Sequence, residues 1–210
     1  LHLGAGDERI YVSSEAAEDL TTGTRFLKGH LNNLTGLLNI DAGAGRHQLM
    51  ISDEAAILAD GTIEQRALIT DNRAAAQAAA TDRGIDETFI GQTDIYIVGI
   101  APAAIGYAAD ADGNFLSGVT YWTGFGDDAI FIDATHWRPI AGAQTVTSLN
   151  TGLGNDNVMI TLDNADDFFA LNTQGPYDQY AVVRDADIVT APDTSLPLVV
   201  FGGQDSDKID

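Results

Sequence analysis

The sequence predicts an all-β, solenoid-like fold: short strands stacked through repeated glycine corners, of the parallel β-helix or β-roll kind, with brief helical excursions. Two observations lead there. One turn pattern, Gly–x–Gly–x–acidic followed by an alternating apolar run, recurs along the 210 residues. Acidic residues number 31 against 10 basic ones, and only six of the acidic residues are Glu. Asp is a poor helix former and a good turn residue, so this bias places carboxylates in turns.

The pattern reads GAGDERIYV at Gly4–Val12, GAGRHQLMI at Gly43–Ile51, GFGDDAIFI at Gly124–Ile132 and GLGNDNVMI at Gly152–Ile160, with a last copy, GGQDSDKID, at Gly202–Asp210. Short strand-like runs precede several copies: LLNIDA, VTYWT and LPLVVF. The unit is therefore strand, glycine turn, strand. Runs such as IYV, LMI, IFI and VMI favour half-buried strands. Glycines at i and i+2 supply the positive φ of a tight corner. Stacked copies align Gly on Gly and strand on strand. The start at Gly124 and the next at Gly152 are one wide coil apart. Larger gaps must hold poorer coils or excursions, and Thr81–Gly99 reads as a degraded coil. Glu15–Leu20 and Asp53–Gly61 are expected as short helices or loops, and Asp163–Leu171 as a helical turn burying Phe168 and Phe169. Asp71–Thr81, rich in Ala, reads as a helix with Asp71 as its cap. No Pro/Gly/Ser linker divides the chain, so residues 1–210 are expected to form one domain. A chain that begins on one copy and ends on another is expected to be a segment of a longer array.

The formal net charge of -21 repels nucleic acid and anionic membrane surfaces and attracts cations or a basic partner. The chain has no Cys, which excludes thiolate catalysis and cysteine metal sites. No apolar run is long enough to span a membrane as a helix, so no membrane insertion is expected. Leu1 starts inside strand-like sequence, and any targeting signal is expected to lie outside these residues.

The glycine–aspartate turns resemble the calcium-binding nonapeptides of repeats-in-toxin (hemolysin-type) proteins, G-G-x-G-x-D-x-U-x with U a large apolar residue. Thr151–Met159 matches with Asp156 at the sixth position and Val158 as U, and Thr123–Phe131 matches with Asp128 and Ile130. Gly202–Asp210 matches with Asp207 and Ile209, Asp205 standing at the fourth-position glycine. Leu3–Tyr11 carries Glu8 in the ligand place, and Ala42–Met50 carries His47. The copies stand singly rather than back to back. The resemblance implies a right-handed roll with calcium between neighbouring turns. It implies Asp128, Asp156 and Asp207 as ligands, with Asp127, Asp205 and Glu8 as further oxygen donors. It also implies a large secreted or cell-surface bacterial protein of adhesin-like character. Asp110–Asn114, DADGN, carries oxygens at i, i+2 and i+4 like the start of a calcium loop, but lacks the closing Glu, and reads rather as a solvated hairpin or loop tip.

Other chemistries have thinner support. Asp127, Asp128 and Asp133 with His136 and Arg138 are the residues a polysaccharide-degrading β-helix would use. No H-E-x-x-H, no complete phosphate loop and no G-x-S-x-G elbow occurs. Tyr121, Trp122, Phe125 and Trp137 form either a sugar-stacking platform or a core cluster. The expectation is a non-catalytic structural or adhesive segment stabilised by calcium. Its expected partners are neighbouring repeats of the same chain and a cell-surface glycan or protein; the alternatives are a carbohydrate-binding module or a glycan-degrading enzyme.

Overall fold

The structure, a computed structural model, describes residues 1–16, 26–85, 92–138, 144–163, 167–173, 187–202 and 207–210. The strand runs flanking each glycine corner form strands, and these collect into two main sheets. One is parallel throughout and follows chain order: β1 (Arg9–Val12), β4 (Gln48–Ser52), β9 (Val119–Trp122), β11 (Val146–Asn150), β13 (Phe168–Asn172) and β15 (Leu198–Phe201). The other runs in the order β16 (Lys208–Ile209), β14 (Ile188–Thr190), β12 (Asn157–Ile160), β10 (Ala129–Ile132), β5 (Ala67–Thr70), β6 (Ile95–Val98), β7 (Ile105–Ala108) and β2 (Leu38–Asp41). A short parallel pair, β3 (Gly45–Arg46) with β8 (Gly113–Asn114), joins two corners. From β9 to β16 successive strands alternate between the two main sheets. The architecture is thus mostly parallel β, with little helix, as the repeated unit predicts.

The core lies along the facing sides of these sheets. In β12 and β13 burial alternates, with Val158, Ile160, Phe169 and Leu171 inside. Their partners from the other coils, among them Ile10, Leu49, Val119, Tyr121, Leu149, Ile130 and Ile132, complete one apolar cluster. Register makes this continuous: Leu49 pairs with Val119, Ile130 with Val158, and Leu149 with Leu171. A one-residue slip would turn each row outward.

Three segments depart from expectation. Within Thr81–Gly99, residues 86–91 lie outside the described set, and Ile95–Val98 forms β6. This strand is antiparallel to both β5 and β7, so it is an inserted strand rather than a degraded coil. The helix forms as α1 (Arg73–Asp82), but its cap is Asn72, whose side-chain oxygen accepts the N–H groups of Ala74 and Ala75. Ala76 and Ala80 bury against Tyr96, Val98 and Ala104, which holds a helix too short to persist alone. In Asp163–Leu171, residues 164–166 lie outside the described set and Phe168 onward is strand. Pairing of Val146 with Phe168 and Phe169 with Leu198 imposes the extended form, with Phe169 inside and Phe168 half-buried. Asp53–Gly61 is turn, not helix; Glu15–Leu20 falls largely outside the described residues. Among the described residues no helix is long and apolar enough to cross a membrane.

Candidate functional site

The corners leading from the first sheet to the second stack directly on one another. Gly152 adopts φ +85°, and a Cβ there would fall 1.7 Å from the Gly124 carbonyl oxygen. No other residue type tolerates that approach. Just past the glycines, the acidic residues form a row. Asp60 N–H donates to Asp128 Oδ1 at 2.7 Å, Asp128 N–H to Asp156 Oδ1 at 2.9 Å, Asp156 N–H to Asp187 Oδ1 at 2.9 Å and Asp187 N–H to Asp207 Oδ1 at 3.2 Å. Each carboxylate therefore satisfies the main chain of the coil before it. Asp128, Asp156 and Asp187 are each 1% exposed. Outside this row, Asp127 Oδ1 accepts from the N–H and side-chain amide of Asn155.

Burial makes the row electrostatically costly. It pushes the Asp156 carboxyl up to about 8, with the charges of Asp128 and Asp187 adding to the effect. Asp128 rises to about 6, chiefly through burial, against hydrogen bonds from Asp60 N–H and the Thr123 hydroxyl. Asp60 is pushed to about 10 by burial and by the neighbouring Asp128 and Asp53. Its Oδ2 is buried without a hydrogen-bond partner. Such an oxygen suits a cation or a proton. A calcium shell needs six to eight oxygens around one point. The row instead offers oxygens in single file, one strand spacing of about 4.8 Å apart, and no group of three or more Asp, Glu or His suited to a metal occurs among the described residues.

Glu8 sits elsewhere, at the corners leading into the first sheet. There Glu8 Oε2 lies 2.8 Å from Nδ1 of the buried His47, whose Nε2 lies 3.2 Å from the Gly43 carbonyl oxygen, so the imidazole sits between the two corners. Asp110–Asn114 is the third corner of this edge rather than a loop tip. A Cβ on Gly113 would lie 2.0 Å from the Gly43 carbonyl oxygen, and His47 N–H donates to the Asn114 carbonyl. Asp205 lies outside the described residues.

A second feature is a cleft of about 490 Å³, lined by Asp71, Asp94, Asp133, His136, Trp137, Arg138, Asp163 and neighbours. Asp94 organises it. Asp94 Oδ2 lies 3.1 Å from His136 Nε2 and accepts from Arg138 Nη2 at 2.8 Å and from Ala109 N–H at 3.2 Å. Burial alone would raise Asp94, but hydrogen bonds from His136 and Ala109, with the charges of His136 and Arg138, hold it below its ordinary value. Burial keeps His136 low, hence neutral near pH 7, and its ring packs edge-on to Phe115 at 4.7 Å. Asp133, His136 and Arg138 are thus brought together, while Asp128 belongs to the corner row and Asp127 lies beside it on Asn155. The aromatic group divides as well. Tyr121 and Trp122 are buried and Phe125 is half-buried, whereas Trp137 is 37% exposed at the cleft.

Sequence reasoning missed Asp60, Asp187 and Asp94. Asp187 carried a signal, since Asp–Ile–Val repeats the Asp–x–apolar start of the strands after Asp128 and Asp156. Asp60 carried none, because Gly61–Arg66 separates it from β5. Asp94 reaches His136 across 42 residues, through β6 and β7, and no local pattern announces that. Comparison with protein-family models, with curated proteins and with solved structures finds no match to this chain.

Proposed function

We propose that the chain is a non-catalytic structural or adhesive segment of a larger secreted or cell-surface protein, built as a right-handed parallel β-helix or β-roll and stabilised by calcium along its aspartate row. The observation that carries this reading is the row itself: Asp60, Asp128, Asp156, Asp187 and Asp207, linked coil to coil by hydrogen bonds from main-chain N–H to carboxylate. Such a device sets the stacking of coils and makes no provision for a substrate. Alternation of strands from β9 to β16 between a parallel sheet and a mostly parallel one supports the roll. Among the described residues β15 and β16 are the end strands of their sheets, and Val199, Phe201 and Ile209 on them are exposed, as a surface that takes up further coils would be. Calcium in this reading neutralises buried carboxylates that otherwise repel one another, with Asp128, Asp156 and Asp207 as the ligands and Asp60 Oδ2 as an open oxygen beside them.

Thermal unfolding at pH 8 tests the calcium part. Calcium is expected to raise the Tm of the wild type and chelator to lower it. Asp156→Asn keeps an acceptor for the Asp128 N–H while removing the charge, so it should unfold higher than the calcium-free wild type and respond less to calcium. Identical melts in calcium and chelator, with metal analysis verifying removal, would reject calcium while leaving the stacked scaffold intact.

A further inference from the structure

The cleft beside Asp94 has unmet hydrogen-bonding groups that the stacking role does not use. Asp94 accepts from His136, so Nε2 carries the proton of the neutral ring and Nδ1 is left as a bare acceptor. That Nδ1 is buried without a partner, on a side chain that is itself fully buried. Asp133 Oδ1 is a second buried acceptor without a donor, and Arg138 Nε–H is a buried donor without an acceptor. All three side chains line one cleft, and Trp137 presents an exposed aromatic surface at it.

We infer that this cleft binds a neutral saccharide. A sugar hydroxyl both donates and accepts, which matches two unpartnered acceptors and one unpartnered donor buried in the cleft wall; a purely cationic ligand would leave Arg138 Nε unmet. The apolar face of a pyranose ring suits an exposed indole, and a cleft of this size with few convergent polar groups is of ligand-binding dimensions. Anionic sugars are disfavoured. Asp94 takes up Arg138, while Asp71, Asp133 and Asp163 add negative charge to the walls. Among the described residues no carboxylate and imidazole groups gather as a metal would require. The site goes beyond the spacer reading and stands without calcium.

The test is titration of the full chain with xylohexaose, cellohexaose, laminarihexaose and mannohexaose, with hexagalacturonate and a glucosamine hexamer as charged controls. Calorimetry and tryptophan fluorescence report binding, and circular dichroism checks the fold of each variant. At least one neutral hexamer is expected to bind with Kd below about 1 mM, weakened at least about tenfold in Trp137→Ala and in Asp133→Asn, with Trp137→Phe retaining part of the affinity. Tighter binding of either charged hexamer, no response to any neutral one, or equal affinity in folded Trp137→Ala would overturn the assignment. Loss of fold in Asp133→Asn leaves the Trp137 pair to decide.

Discussion

A single buried carboxylate shows how side chains in this fold serve the main chain first. Asp53 is 3% exposed, and its Oδ1 accepts the N–H of Leu31, fixing the segment that carries the buried Leu27 and Leu31. Burial pushes its carboxyl up to about 6, against the Leu31 hydrogen bond and the charge of His30. A raised carboxyl holds its proton longer in the folded chain than in the unfolded one. Its stability contribution is therefore whole below pH 4, falls as pH rises from about 4 to about 6, and is level above that. Asn in its place keeps the acceptor and abolishes the titration. The advantage of Asp53→Asn over wild type, measured by urea unfolding, should therefore grow by about 2–3 kcal/mol between pH 4 and pH 7. A constant difference across that range would mean that folding does not shift the Asp53 carboxyl. The same logic explains why the corner aspartates need not be metal ligands to be required: each one satisfies a buried N–H that water cannot reach.

At the scale of elements, the corner is the unit, and glycine sets its geometry. Gly152→Ala forces a Cβ into the Gly124 carbonyl and places Ala at positive φ. It should cost about 2–4 kcal/mol, whereas Gly84→Ala, also at positive φ but with open space around it, should cost about 1 kcal/mol. Denaturant midpoints of the two variants provide the comparison, and equal losses would show that φ rather than stacking is the constraint. This is also why the strand–turn–strand unit was legible in the sequence. The Gly–x–Gly spacing, the acid after it and the alternating apolar run are local, and each has one physical reading. The inserted β6 was not legible, because IYIV is equally a parallel or an antiparallel strand, and only its neighbours β5 and β7 decide. The capping choice between Asp71 and Asn72 turns on one residue of register. Of the corner row, Asp128, Asp156 and Asp207 were readable from their turns, while Asp60 joins from an irregular loop. The cleft was half readable: Asp133, His136, Trp137 and Arg138 adjoin in sequence, but the Asp94 that organises them leads into the inserted strand β6.

For the whole molecule, stacking along one direction makes stability local, since each coil gains mainly from the coils beside it. The coils are unequal. Between β4 and β9 the chain inserts α1, β6 and β7, which add the Ala76, Ala80 and Tyr96 cluster beside the main core and tie Tyr107 to Tyr121 through their buried hydroxyls at 2.6 Å. Toward β16 the layer thins. Ile188, Val199, Phe201 and Ile209 are exposed, and β14 and β16 carry three and two residues. Opening from that end therefore exposes little apolar surface that was buried, while opening at β4, β7 and β9 requires breaking the middle of the core. Native-state hydrogen exchange should show amides of Ile188–Thr190 and Leu198–Phe201 exchanging at least about tenfold faster than those of Gln48–Ser52, Ile105–Ala108 and Val119–Trp122. Uniform protection would mean that the stack opens as one cooperative body. If calcium binds the row as proposed, its addition should slow exchange at the β14–β16 end first, because packing contributes least there and the row runs on through Asp156, Asp187 and Asp207.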